Sequence, residues 1–237
     1  MLGNEGLKVM HMSAATESIE LVVYQGQFGE FTITAADRRG VVIYRAGLMV
    51  AALCFAIGAT LVLWRANDPA VQMAVTPLYT LFTIALGVGL ATIHIYLAAL
   101  HRALQIFWLI GTVASLSVAH FYSEPFAVTV YQHPETILGV GFTFAALTGI
   151  FFKEAFCFNR LETKLLTLIV PLLLLGHWLG VLPLIAEKIL LAAWAVLFII
   201  FALRKAFQPI PPDIGDKSVF EYLKQQSKQQ SKQQTVV

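Results

Sequence analysis

Charge is scarce in this sequence: only 13% of its 237 residues are Asp, Glu, Lys or Arg, whereas 58% are apolar, and the mean hydropathy is +0.74. A water-soluble domain carries about twice that share of charge, so a soluble globular fold is excluded. The net charge is only +2 and the basic residues form no single stripe, so nucleic acid is not an expected partner. Cysteine is nearly absent too. Cys54 and Cys157 lie in different apolar runs, far beyond any zinc-motif spacing, and support no disulfide framework. Residues 1–40 lack the charged start, apolar centre and small-residue cleavage site of a secretion signal, so the N-terminus is expected to stay on the side where it is made. There is no Gly-rich phosphate loop, no His-Glu-x-x-His, no Gly-x-Ser-x-Gly and no pair of acids inside an apolar run. On these grounds neither an enzyme nor a bound cofactor is expected.

What the chain has is long apolar runs. A helix needs about 20 residues to cross about 30 Å of hydrocarbon, and six segments approach that length. They are Ala46–Leu63, Val75–Ala99, Leu104–Phe121, Thr136–Phe152 with an extension to Phe158, Leu165–Leu182, and Ile189–Leu203. The last is short and needs to begin near Pro183, with Lys188 reaching outward. The predicted fold is therefore all-α: a polytopic membrane bundle of six transmembrane helices.

Charge asymmetry supports the count. With six spans, all of the sixteen Lys and Arg residues except Arg65 and Lys188 fall on one face. That bias places both termini in the cytoplasm. If the last segment failed to cross, Arg204, Lys205, Lys217, Lys224, Lys228 and Lys232 would change sides, and the bias would vanish.

Three regions follow. Residues 1–40 form a cytoplasmic segment, in which β-prone Ile19–Tyr24 and Phe31–Thr34 flank a Gly-containing turn and suggest a short hairpin. Thr34 and Asp37 are spaced as a helix cap, so the first helix is expected to begin near Ala35. Residues 41–206 are the transmembrane domain. Residues 207–237 are a cytoplasmic tail whose Lys-Gln-Gln-Ser repeat reads as disordered, with Ser218–Gln226 able to form an amphipathic turn or two. Its Lys224, Lys228 and Lys232 are spaced four apart, an arrangement that would attract anionic lipid if helical.

Polar residues near the spans are the candidate sites. Small residues at four-residue spacing (Gly47 and Ala51; Ala85 and Gly89; Gly141, Ala145 and Gly149) are expected to pack helices together, or else to receive a partner subunit. His94 and His177 fall in opposite leaflets and cannot share a haem. His120, Glu124, His133 and Glu135 share an outer loop, but Pro125 and Pro134 spoil metal-ligand spacing. The favoured polar cluster is His94, Arg102, Lys153 and Glu154, all at the cytoplasmic ends of spans. Within it Lys153 and Glu154, being adjacent on a helix, are not expected to pair, and His94 is the expected partner of Glu154.

The segments Tyr24-Gln-Gly-Gln-Phe-Gly-Glu30, Ile93-His-Ile-Tyr-Leu97 with His101-Arg102, and Leu147-Thr-Gly-Ile-Phe-Phe-Lys-Glu-Ala-Phe-Cys-Phe158 resemble an uncharacterised family of integral membrane proteins from cyanobacteria with plant relatives. The resemblance runs from about residue 18 to 207. It implies no activity and assigns no site residue, but it does imply a plasma or thylakoid membrane, where a small protein would assist larger complexes. The expectation is a non-enzymatic accessory protein whose partners are membrane lipid and subunits of a larger complex. The alternative is a transporter or channel for a small solute.

Overall fold

The computed structural model describes residues 22–95 and 97–234. The expected strand over Ile19–Leu21 and the basic Lys8 lie outside the described residues. The elements run β1 (Val23–Gly26), β2 (Gly29–Thr32), α1 (Ala35–Arg65), α2 (Pro69–Thr92), α3 (Ala98–Phe121), α4 (Phe126–Gln132), α5 (Ile137–Phe158), α6 (Leu161–Trp178), α7 (Leu184–Phe207), α8 (Pro211–Ile214) and α9 (Lys217–Gln234), with a single 3-10 turn at Pro134–Thr136. Six of these helices, α1, α2, α3, α5 (with the turn before it), α6 and α7, are long and apolar enough to cross a membrane. Their cores hold none of the charged residues, which gather near helix ends as bilayer energetics require.

Among the described residues two compact units form. One gathers the hairpin, α1 as far as Val42, the link at His94 and Ile95, and the chain from Pro209 onward; the other takes Ile43–Ile93 and Leu97–Gln208. In the first unit, β1 and β2 pair antiparallel with Tyr24 opposite Phe31 and Gly26 opposite Gly29. Gly29 takes φ 139°, a conformation open to glycine, and so permits the tight two-residue turn. Ile33, Val41 and Ile214 form a small core under Tyr24, Phe31 and Ile210. The expected cap on α1 is present: the Thr34 amide and hydroxyl both donate to Asp37 Oδ2 at 2.8 Å, and the Asp37 amide donates to Thr34 Oγ1 at 3.2 Å.

The second unit is the helix bundle. Asp68 caps α2 by accepting from the Ala70 amide at 2.9 Å, and Pro69 occupies the first helical position, where no amide is needed. Its centre is aromatic: Trp194 meets Phe55 at 4.3 Å and Phe144 at 5.2 Å, and Phe151 meets the edges of Phe198 and Phe201. One polar knot crosses it, where the Tyr79 hydroxyl lies 2.7 Å from Ser115 Oγ and 3.2 Å from Thr143 Oγ1, joining α2, α3 and α5.

Small residues are used up inside this bundle. A Cβ on Gly47 would lie 2.7 Å from the Ala85 carbonyl, so the small ridges of α1 and α2 interlock. Gly149 is covered by Leu104, and Gly111 sits against the Thr143 backbone. Among the glycines of the expected ridges, Gly141 has as its nearest neighbour Ile137 of its own helix and serves no such contact.

Several boundaries differ from the sequence reading. The second span, expected to reach Ala99, ends at Thr92, because Ile93 turns to extended geometry with ψ 139° and α3 starts only at Ala98. The intervening Ile93-His94-Ile95 is β-branched at two of three positions, which weakens helix without any Pro or Gly to announce the break. The fifth span is displaced one turn towards the N-terminus. It starts at Leu161, behind Asn159 in the left-handed region (φ 51°), and stops before Gly180 (φ 64°). The tail, expected to be disordered, is helical over Lys217–Gln234. Tertiary contacts account for its first turns: Ser218 is buried and Tyr222 stacks on Phe28 at 4.0 Å.

Candidate functional site: a buried ion cluster at one end of the bundle

Three helices bring their buried stripes to the same end. Tyr44, Leu48 and Ala51 are buried on α1; Leu147, Phe151 and Glu154 on α5; Trp194, Phe198, Phe201 and Lys205 on α7. Each set recurs at three- or four-residue spacing, the signature of one helix face turned inward. Glu154 and Lys205 are simply the last inward positions before their helices end. Both are fully buried.

The Glu154 carboxylate is held from both sides. Lys205 Nζ donates to Oε2 at 2.5 Å, while Lys153 Nζ at 2.8 Å and the Tyr44 hydroxyl at 3.3 Å donate to Oε1. Taking these ions out of water costs several kcal/mol each, which only mutual attraction and full hydrogen bonding can offset. The Phe158 ring supplies a further partner, with Lys205 Nζ 4.3 Å, Arg160 5.5 Å and Lys153 5.7 Å from its centre. Beside this core, Arg204 pairs with Glu162 at 3.1 Å, Arg160 donates to the Gln208 side chain at 2.7 Å, and Arg45 donates to the Gln208 carbonyl at 2.5 Å. The cluster thus ties α1, α5, α6 and α7 together where they end.

The expected cluster is partly assembled. Lys153 and Glu154 do pair, against the expectation for adjacent helical residues, because the long lysine stem curls back to a carboxylate already turned inward. Arg102 is exposed on α3, and His94 is half-buried in the extended link before it, within the first unit. Lys205 and Tyr44, which fill the carboxylate, are absent from the sequence candidates. Their signal is the continuation of the apolar stripe: Trp194, Phe198 and Phe201 point on to Lys205 at the next spacing of four. Counting Lys205 only towards the charge asymmetry concealed it.

A second polar group closes the opposite end of α6 and α7. His177 Nδ1 lies 2.6 Å from Glu187 Oε1, its Nε2 lies 3.1 Å from the Tyr131 carbonyl, and the Tyr131 hydroxyl donates to Glu187 Oε2 at 3.3 Å. A carbonyl only accepts, so His177 Nε2 is the donor to Tyr131. Burial first, and then the Glu187 charge, hold the Tyr131 phenol above its ordinary range. These contacts give His177 hydrogen-bonded partners in protein. Among the described residues no three His, Cys, Asp or Glu gather as a metal site, and His133 pairs with Glu135 at 3.2 Å instead.

Between α1, α2, α5 and α7 lies a cavity of about 160 Å³, walled by Cys54, Phe55, Tyr79, Phe82, Phe144 and Leu191 among others. Its walls are almost wholly apolar.

Six membrane-length helices, a packed aromatic interior and ion clusters confined to the helix ends define an integral membrane protein of the polytopic α-helical class. The family model described as "Uncharacterized integral membrane protein (DUF2301)" matches residues 88–222, more than half of the chain, and the chain belongs to that family. The matched stretch holds Lys153, Glu154 and Lys205 but not Tyr44. No curated protein and no solved structure matches the chain.

Proposed function

We propose that this is a non-enzymatic accessory protein that holds partner subunits of a larger complex in a plasma or thylakoid membrane of a photosynthetic cell, with both termini in the cytoplasm. The observation that carries the reading is how the bundle is closed. Glu154, Lys205 and Tyr44 lock α1, α5 and α7 at one end, His177, Glu187 and Tyr131 join α6, α7 and α4 at the other, and aromatic rings line the interior between them around an apolar cavity. Helices pinned together near both ends, around a cavity with almost wholly apolar walls, favour a rigid support over a solute path, since alternating access needs broken helices around a midplane site. With the small-residue ridges of α1 and α2 committed to each other, partners are left the outward faces, such as the exposed Ile106, Leu109, Val113 and Leu116 of α3.

The test is affinity purification from native membranes under mild detergent, with identification of co-purifying protein and pigment. A stable partner is expected, together with its crosslinking to a photoreactive residue placed at Val113. A chain that elutes alone and colourless would remove the proposal and favour the competing reading of small-solute transport.

A further inference from the structure

We propose that the hairpin and tail together form an anionic-lipid-docking surface, in which Phe28, Tyr222 and Leu223 enter the headgroup layer and the basic helix α9 is drawn to the phosphates. The surface is built by contacts across some 190 positions of sequence. Asp216 Oδ2 accepts from the Gln27 amide at 2.6 Å, Ser218 Oγ accepts from the Phe28 amide at 3.0 Å, and Lys217 Nζ reaches Asp37 Oδ2 at 2.8 Å. The first two bonds hold the hairpin turn against the start of α9, and the third ties α9 to the first turn of α1. Phe28 then lies flat on Tyr222, ring centres 4.0 Å apart and planes within 3°.

The stacked pair stays open to its surroundings. Phe28 is 46% exposed and Tyr222 37%, with Leu223 at 45% and Val22 at 37%. Aromatic side chains with a polar tip are suited to the boundary between headgroups and acyl chains. Charge points the same way: with Lys217 paired to Asp37, α9 still carries Lys224, Lys228 and Lys232 against Glu221 alone, the composition of a helix attracted to anionic lipid. Connectivity selects a lipid surface over a soluble protein. Only residues 208–216 separate the end of the last span from α9, at most about 32 Å of chain, so a bilayer is always within reach at high effective concentration.

The full chain tests this with Cys54 and Cys157 replaced by Ser and an environment-sensitive dye on Leu223→Cys. It is reconstituted into phosphatidylcholine vesicles with or without phosphatidylglycerol, each containing a headgroup-depth nitroxide lipid. Blue-shifted, quenched emission is expected with the anionic lipid, and is expected to fall as salt rises to about 0.5 M and screens the charges. Replacing Lys224, Lys228 and Lys232 by Gln is expected to weaken docking by about fivefold per lysine. The salt series needs no such replacement, so it decides the matter even if the lysine variant misfolds. Emission unquenched in every vesicle, or quenched equally without anionic lipid and at high salt, would overturn the proposal. So would a label open in vesicles but shielded in native membranes, which would assign the surface to a protein partner.

Discussion

Glu154→Gln is the perturbation that the ion cluster makes most informative. The change keeps the shape and removes the charge, leaving Lys205, fully buried, and Lys153, with a side chain only 10% exposed, facing a neutral amide. Breaking a buried pair from one side costs roughly 3–5 kcal/mol because the other charge is stranded. For a chain of this size each kcal/mol moves the midpoint by about 2–4 °C, so a fall of roughly 6–20 °C in detergent is expected. Lys205→Met should cost less, since Glu154 keeps Lys153 and Tyr44. The double variant Glu154→Gln/Lys205→Met removes both buried charges and should be no less stable than Glu154→Gln alone, which is a coupling of several kcal/mol. The assay is thermal unfolding of the four proteins in one detergent, followed by the fraction remaining monodisperse. Small, additive effects, each near 1 kcal/mol as for exposed pairs, would refute a buried cluster and return Glu154 to an ordinary charged helix end.

Gly111→Val should destabilise by about 1–3 kcal/mol by forcing a side chain onto the Thr143 backbone, whereas Gly141→Ala, open to all but its own helix, should be nearly neutral in the same melt. Single cysteines at Ser123 and Ser231, in a background lacking the native two, test orientation with an impermeant thiol reagent on intact cells; labelling at Ser231 but not Ser123 would overturn cytoplasmic termini. Acid should loosen the hairpin from α9. Burial alone would raise the Asp216 carboxyl, but hydrogen bonds from Ser218, Gln27 and Val219 outweigh it and hold the group below its ordinary value. Its stabilisation is therefore complete above the unfolded carboxyl range and is lost as pH falls through the lower folded value. Increased proteolysis near the Gly26–Gly29 turn below about pH 4, abolished as a pH dependence in Asp216→Asn, is the expected readout.

Much of this architecture is legible in the sequence, because a bilayer imposes a length and a composition on every element that crosses it. The six spans, the hairpin turn and the Thr34–Asp37 cap all follow from runs and spacings. The break after Thr92 is not legible, since Ile93 and Ile95 are as apolar as the helices they separate and hydropathy is blind to backbone geometry. The tail misleads for the opposite reason. Its Gln-rich repeat carries no signal for helix, yet Ser218, Tyr222 and Asp216 find hairpin partners far away in sequence that order its beginning. At the ion cluster, residue type located Glu154 and Lys153, whereas the inward stripe that singles out Lys205 requires following the period of an apolar helix into its charged end.

The pairing of Glu154 with Lys205 also orders the protein's own manufacture. The two charges are 51 positions apart and, at about 5–20 residues per second, leave the ribosome some 3–10 s apart. Throughout that interval α5 must occupy the bilayer with a carboxylate facing a place where α7 has yet to arrive. Lys153, its immediate neighbour in the chain, and Tyr44, inserted with the first span, are already at hand as provisional partners. The sixth span, with its own terminal lysine, then completes the site. Insertion of the last helix is thereby coupled to retention of the fourth, and a truncated chain ending before Lys205 would present its unfinished charge to membrane quality control.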